Sequence, residues 1–282
     1  MNGFVNLIKP SGPTASDMVV KARKILNFKK IGHLGTLDPL AAGVLPLAVG
    51  KGTKLFDFLL RKSKTYRAFF TFGKTTDTLD SAGAVTAVGG FVPDEKTLEA
   101  LCAEMTGVQE QVPPIYSAKS VNGVRAYALA RKGEEVSLKA KTVEIFGFDL
   151  LRRFSEDTFE FEIRCSSGTY IRSVVRDMAA AAGTLGYMSA LIRTASGVFD
   201  IEKAVTLDEL KEKGESALLP LEYALRDVPT FEYDEKYYSR LANGVSLPFD
   251  SGDYHKIYCR GELFGVGRSK NGYLDLEFYL KV

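Results

Sequence analysis

The stretch GHLGTLDPLAAGVLPLAVGKGTKL, residues 32–55, sets one acidic residue, Asp38, between Gly32, Gly35 and Gly43. Asp-Pro is a frequent helix start, with Asp as N-cap and Pro in the first helical position. The same pair supports a second reading. Pro39 disfavours the right-handed helical conformation at Asp38 and holds it extended. Glycines on both sides let backbones pass close, so the carboxylate can project from a tight loop. Downstream, VLPLAV (44–49) reads as an apolar strand ending at Gly50, and TKLFDFLL (53–60) reads as helical.

The charge around this loop is uneven. Residues 1–72 carry twelve Lys/Arg against Asp17, Asp38 and Asp57, a net +9, whereas the whole chain is only +2. Residues 202–235 go the other way, with ten Asp/Glu against four Lys/Arg. Such a split points to a polyanion at one face, nucleic acid first, although a solvated surface of uneven charge has the same composition. A carboxylate facing a polyphosphate repels it. Catalysis is a reason for it to be there.

Other classes fall away on residue counts. A chain of 282 residues builds one large domain, or one large and one small. No apolar run approaches the ~20 residues of a membrane span, and the start, MNGFVNLIKPSGPTASD, lacks the features of a signal peptide, so a cytoplasmic location is expected. Only His33 and His255 are histidines, and Cys102, Cys165 and Cys259 are far apart, which argues against a metal site. Gly50-Lys51-Gly52-Thr53 invites a phosphate-loop reading, but Leu45 occupies the place of the required first glycine. Position 40 is leucine rather than the second acid of an aspartyl-phosphate enzyme, and nothing marks the partner carboxylate of a glycosidase.

Along the chain, Thr14–Leu26 is expected to be a helix opened by a Thr14/Asp17 capping box. KTYRAFFTFG (64–73) is a strand pattern. A helix is expected over Asp94–Thr106, closed by Gly107, and another over VRAYALARKG (124–133). TVEIFGFDLL (142–151) and TFEFEIRC (158–165) read as strands, and GTYIRSVVRDMAAAAG (168–183) as a helix. The last fifty residues are short strand patterns between glycine-containing turns, expected to form a small β domain after about residue 230.

GHLGTLDPLAAGVLPLAVGKGTKL closely resembles the signature segment of the TruB family of bacterial tRNA pseudouridine synthases. The resemblance continues in order through SKTYRAFFTFGKTTDTLD (63–80), QVPPIYSAKSVNGVRAYALARKG (111–133), CSSGTYIRSVVRD (165–177) and LIRTASG (191–197). It covers residues 1 to about 225. It implies an α/β (α+β) pseudouridine synthase fold: a central mixed, largely antiparallel sheet flanked by helices. A catalytic domain over 1–230 would carry an RNA-clasping insertion at about 117–143. Residues 231–282 would form a small C-terminal PUA-like RNA-binding domain, on a shorter match whose best fragment is GELFGVGR (261–268).

The resemblance further implies isomerisation of the uridine at tRNA position 55, in the T loop. Asp38 would be the catalytic aspartate, and Arg172 would pair with it and fix its direction. Tyr66 would stack on the target base and assist proton removal, Tyr170 and Leu191 would line the uracil pocket, and His33 would enter the RNA where nucleotides flip out. By ordinary packing, Tyr66, Tyr170 and Leu191 would be core residues, Arg172 a helix-surface residue and His33 a structural histidine. Lys21, Lys64, Lys119, Arg125, Arg131, Lys132 and Lys141 are expected to contact the RNA backbone, which positions RNA without reading its sequence. Atoms are only rearranged, so no cofactor is expected, and a monomer acting on the tRNA T arm without a protein partner or membrane is the simplest form. Two rivals remain: a guide-RNA-dependent pseudouridine synthase, and a protein whose main role is refolding tRNA.

Overall fold

Alternation along the first strand sets the layers of the molecule. The computed structural model describes residues 1–116, 120–121, 124–125 and 138–281. The chain opens with β1 (Gly3–Lys9), α1 (Ala15–Ile25), β2 (Ile31–His33), β3 (Ala42–Val49), α2 (Phe56–Leu60) and β4 (Lys64–Phe72). A small hairpin, β5 (Lys74–Thr76) and β6 (Val85–Val88), precedes α3 (Glu95–Glu104) and β7 (Gly107–Gln111). The two-residue strands β8 (Ser120–Val121) and β9 (Val124–Arg125) follow, then β10 (Lys141–Arg153), β11 (Thr158–Cys165) and α4 (Ile171–Ala181). β12 (Gly186–Ser196) and β13 (Phe199–Asp200) complete the main body.

The main sheet runs β1-β3-β12-β4-β11-β10-β7, with β2 added to β3 and β13 to β12. Among the described strands of this sheet only β3 and β12 run parallel, so it is mixed and largely antiparallel, as the resemblance implies. Successive side chains of a strand point to opposite faces. Val5 and Leu7 of β1, with Leu45 and Leu47 of β3, meet Met18 and Ala22 of α1, Leu98 of α3 and Val174 and Met178 of α4. Phe4, Val44 and Ala48 join Phe58 and Leu59 of α2 on the other face. Each such buried Val, Leu, Phe or Met side chain contributes about 1.5–3 kcal/mol.

α1 starts where its cap dictates. Thr14 Oγ1 accepts from Asp17 N at 3.1 Å and Asp17 Oδ2 accepts from Thr14 N at 2.8 Å, a reciprocal cap worth about 1 kcal/mol. Asp38-Pro39, by contrast, starts no helix: the chain turns there, with Ala41 N donating to Asp38 O at 3.0 Å. The expected helix over 124–133 is corrected at its start, because Val124–Arg125 pairs as a strand with Ser120–Val121. The rest of it, with Lys119, Arg131 and Lys132, lies outside the described residues. Gly107 does not cap α3 but opens β7 with φ +113°.

β14 (Thr230–Tyr233), β15 (His255–Cys259), β16 (Glu262–Lys270) and β17 (Tyr273–Tyr279) form a separate sheet in that order. It has its own core of Tyr233, Leu247, Phe249, Ile257 and Phe264. Its Phe278 and Tyr254 rings also pack on Phe58 at 5.7 and 5.3 Å. Lys54 Nζ donates to Tyr279 O at 2.9 Å, and Lys51 Nζ to Lys281 O. The GKGTKL segment is thus where the C-terminal strand is held. Among the described residues no helix is long and apolar enough to cross a membrane.

Candidate active site

Arg172, in the first turn of α4, joins elements that are distant in sequence. Its Nη2 lies 2.9 Å from Asp38 Oδ2 and donates to Tyr116 O at 3.0 Å. Its Nη1 donates to Thr78 O at 3.1 Å and faces Asp80 Oδ2 at 3.6 Å. Asp80 is buried and is itself held, its Oδ1 accepting from Thr78 Oγ1 at 2.6 Å and from Ala82 N at 3.0 Å. The planar guanidinium is therefore fixed on its inner side and presents an edge to Asp38.

Two buried cations hold the loop that carries Asp38. Lys9 Nζ donates to the carbonyls of Pro10 at 2.9 Å, Pro39 at 3.0 Å and Ala41 at 2.6 Å. Burial, and secondarily the charge of Arg193, pushes the Lys9 amine below its ordinary pKa, while Asp38 opposes the shift. Arg193, on β12, donates from Nε to Val44 O at 2.8 Å, from Nη1 to Thr36 O at 3.4 Å and from Nη2 to Gly35 O at 3.3 Å. A lysine or guanidinium has only donors to offer, and here they bind carbonyls of the loop, Pro39 O also accepting from Gly12 N at 2.8 Å. Gly43 is needed where β3 meets β12: with φ +105°, a Cβ there would stand 2.2 Å from Arg193 O.

Tyr66 of β4 sits opposite Arg193 in the β4–β12 register. Burial pushes its phenol pKa up; Arg193 opposes this and the Asp38 charge adds to it. Leu191, Tyr66, Leu37 and Ile171 belong to one apolar cluster, which thus includes the residue before Asp38 and the residue before Arg172. Tyr170 is the N-cap of α4 and half-buried. His33 ends β2, its Nδ1 buried without a hydrogen-bond partner. Burial, with Arg193 adding to it, holds its pKa below the ordinary value, so the ring is neutral at neutral pH.

Of the expected backbone contacts, Lys21 and Lys141 are exposed, and Arg125 lies in β9 with its side chain outside the described residues. Lys64 is corrected. It is buried, and its Nζ donates to Leu60 O at 2.5 Å and Lys62 O at 2.6 Å, at the C-terminal end of α2 rather than toward a phosphate. Sequence reasoning passed over Asp80, Lys9, Arg193 and Gln111. The first three carry a weak signal, a charged residue closing an otherwise apolar or motif-rich run (GFVNLIK, KTTDTLD, ALIR).

A chain with this geometry has well-defined relatives. The family model described as TruB family pseudouridylate synthase (N terminal domain) matches residues 23–171. The model described as tRNA pseudouridylate synthase B C-terminal domain matches residues 172–226. The tRNA pseudouridine synthase B of Caldanaerobacter subterraneus subsp. tengcongensis is 41% identical over 246 residues, covering 86% of this chain and 85% of that one. That of Lactobacillus johnsonii is 39% identical over 270 residues, 91% and 90% of the two chains. Among solved structures, a chain in the structure of an H/ACA RNP bound to a substrate RNA containing 2'-deoxyuridine superposes with a TM-score of 0.76 at 25% identity, covering 99% of this chain and 85% of that one. A chain of a Cbf5-Nop10-Gar1 complex gives 0.75 at 26% identity, with 99% and 87% covered.

Proposed function

The chain belongs to the TruB family of pseudouridylate synthases, and from that premise we propose that Asp38 carries out the isomerisation of uridine to pseudouridine in tRNA, at the T-loop uridine of position 55. The observation that carries this reading is the Asp38–Arg172 pair: a carboxylate held at 2.9 Å by a buried guanidinium, yet itself partly open to solvent. In the reaction the N1–C1′ bond breaks, the base turns, and C5 bonds to C1′. C5 gives up a proton and N1 ends protonated, so atoms are only rearranged. The carboxylate serves as nucleophile or as a proton acceptor.

The remaining roles are those the family resemblance implies. Tyr66 stacks on the turned base and assists proton removal. Tyr170 and Leu191 line the uracil pocket. His33, neutral and planar, enters the RNA where the nucleotide leaves, which offsets part of the few kcal/mol that extrusion costs. Exposed lysines such as Lys21 and Lys141, with Arg125 and the residues of the 117–143 insertion, contact phosphates. Residues 231–282 act as a small PUA-like RNA-binding domain, appended to a catalytic domain over 1–230. The enzyme works as a monomer without a protein partner, in the cytoplasm where tRNA is processed.

A guide-dependent enzyme is the second reading, because the chains that superpose come from structures titled H/ACA RNP and Cbf5-Nop10-Gar1 complex. The relatives at about 40% identity are tRNA pseudouridine synthases B, which favours the first. One experiment separates them. A T-arm hairpin tritiated at C5 of its target uridine is incubated with wild type and with Asp38→Asn, with nothing else added. Tritium release by the wild type alone is expected. No release from hairpin or whole tRNA, with binding intact, would overturn the stand-alone reading.

A further inference from the structure

Gln111, the last residue of β7, is 3% exposed, and both ends of its amide engage a single residue. Oε1 accepts from Tyr170 N at 2.8 Å and Nε2 donates to Tyr170 O at 3.2 Å. Tyr170 is the N-cap of α4. In a capping box the bond to the N-cap N–H comes from an acid three residues on in the same helix. Here it comes from another strand. The attachment continues along the chain: Val112 O accepts from Ser173 Oγ at 2.8 Å and from Arg176 Nη2 at 3.0 Å, and Tyr116 O accepts from Arg172 Nη2 at 3.0 Å.

Segment 111–116 and the first turn of α4 are therefore one unit, and this unit holds the start of the helix that presents Arg172 to Asp38. A glutamine is chemically suited to the place. It offers one acceptor and one donor in a fixed plane, matching the N–H and carbonyl of one residue. Glutamate keeps the acceptor and loses the donor, and alanine keeps neither.

We propose that Gln111 is a positioning residue for the isomerisation, acting through Tyr170: it fixes both backbone groups of that residue and so holds it in place at the base pocket. The inference rests on the reading of the site given above. Displacement of a positioned group by about 1 Å can cost on the order of 100-fold in rate, so loss of both bonds has a measurable consequence in the chemical step rather than in RNA affinity.

The test is single-turnover tritium release from C5-labelled tRNA at saturating enzyme, with tRNA affinity measured separately by filter binding. Gln111→Ala is expected to react roughly 10- to 100-fold more slowly than wild type, with affinity within about twofold, and Gln111→Glu to fall between. In a Tyr170→Ala background the same Gln111→Ala change should add less than about twofold, because coupled residues are non-additive. Gln111→Ala at the wild-type rate overturns the proposal. So does the same fold-loss in both backgrounds, which would mean that Gln111 does not act through Tyr170. If Gln111→Ala does not fold, Gln111→Glu, close in shape, carries the same comparison. A silent wild type would overturn the functional reading and this inference with it, an outcome distinct from wild-type turnover that Gln111→Ala leaves intact.

Discussion

Arg172 and Asp38 meet at 2.9 Å with opposite exposures, the guanidinium side chain 7% exposed and the carboxylate 39%. One partner is rigid and the other accessible. Arg172 is fixed by Thr78 O, Tyr116 O and Asp80, so the direction of the Asp38 carboxylate is set from the interior while one side stays open to a substrate. Such preorganisation places charge before the reaction demands it.

Arg172→Lys is expected to lower the rate of isomerisation about 100-fold or more, with tRNA affinity within about threefold, because an ammonium cannot bridge Asp38, Asp80 and two carbonyls at once. Single-turnover kinetics with filter binding checks this. A lysine variant at full rate would show that only the charge at this position matters.

Asp80→Asn removes the inner charge while keeping shape and an acceptor for Thr78 and Ala82. Arg172 then has only Asp38 as a carboxylate partner. A stability loss of about 2 kcal/mol and a rate loss of about tenfold are expected, since removing one member of a buried pair leaves the other undercompensated. Urea unfolding and tritium release measure the two. Wild-type values in both would remove Asp80 from the site.

Lys9→Met withdraws the donor from the carbonyls of Pro10, Pro39 and Ala41. Pro39 O keeps the Gly12 amide at 2.8 Å, whereas Pro10 O and Ala41 O lose the lysine. Each unpaired buried carbonyl costs about 1–3 kcal/mol where no water replaces the lysine, and the turn closed by Ala41 N and Asp38 O should loosen. Hydrogen exchange at the Ala41 amide is expected to accelerate in the variant. Unchanged protection there would mean the loop holds itself.

Gly43→Ala and Gly12→Ala make a matched pair, both at positive φ. Alanine at Gly12 meets nothing within 4 Å, whereas at Gly43 it stands 2.2 Å from Arg193 O. A loss of about 1 kcal/mol is expected at Gly12 from backbone strain alone. At Gly43 the loss should exceed about 3 kcal/mol, because the β3–β12 junction must part. Equal losses in thermal unfolding would refute the packing argument.

Lys64 gives a pH signature. Burial, with Arg193 contributing, pushes its pKa from 10.5 down to about 8. Between about pH 8 and 10.5 the unfolded chain keeps the proton that the folded chain releases, so this residue's contribution to stability rises with pH across that window. Below about pH 8 it is constant. In urea unfolding the difference between wild type and Lys64→Met should move in favour of wild type above about pH 9. A difference independent of pH would show that Lys64 titrates normally.

Much of the fold was legible because it is local. The strand pattern of Lys64–Phe72, the Thr14/Asp17 cap of α1, and the Asp-Pro loop flanked by glycines act within a few residues of chain, and the sequence states them directly. The pairing of Asp38 with Arg172 was legible only through the order of the motifs.

What the tertiary structure alone decided is which polar groups lie inside. Lys9, Lys64 and Arg193 are basic residues like their exposed neighbours Lys21, Lys24 and Lys29, and no pattern in the sequence separates the two groups. Their burial depends on carbonyls supplied elsewhere: Pro39 and Ala41 for Lys9, the end of α2 for Lys64, and the loop before Asp38 for Arg193. Asp80 and Gln111 likewise gain their meaning from Arg172 and Tyr170, which reach them only when α4 docks beside β7 and the 77–83 turn. A charge is stable in the interior only beside donors or acceptors that match it, and those partners come from strands brought together by the sheet order, not by the chain order.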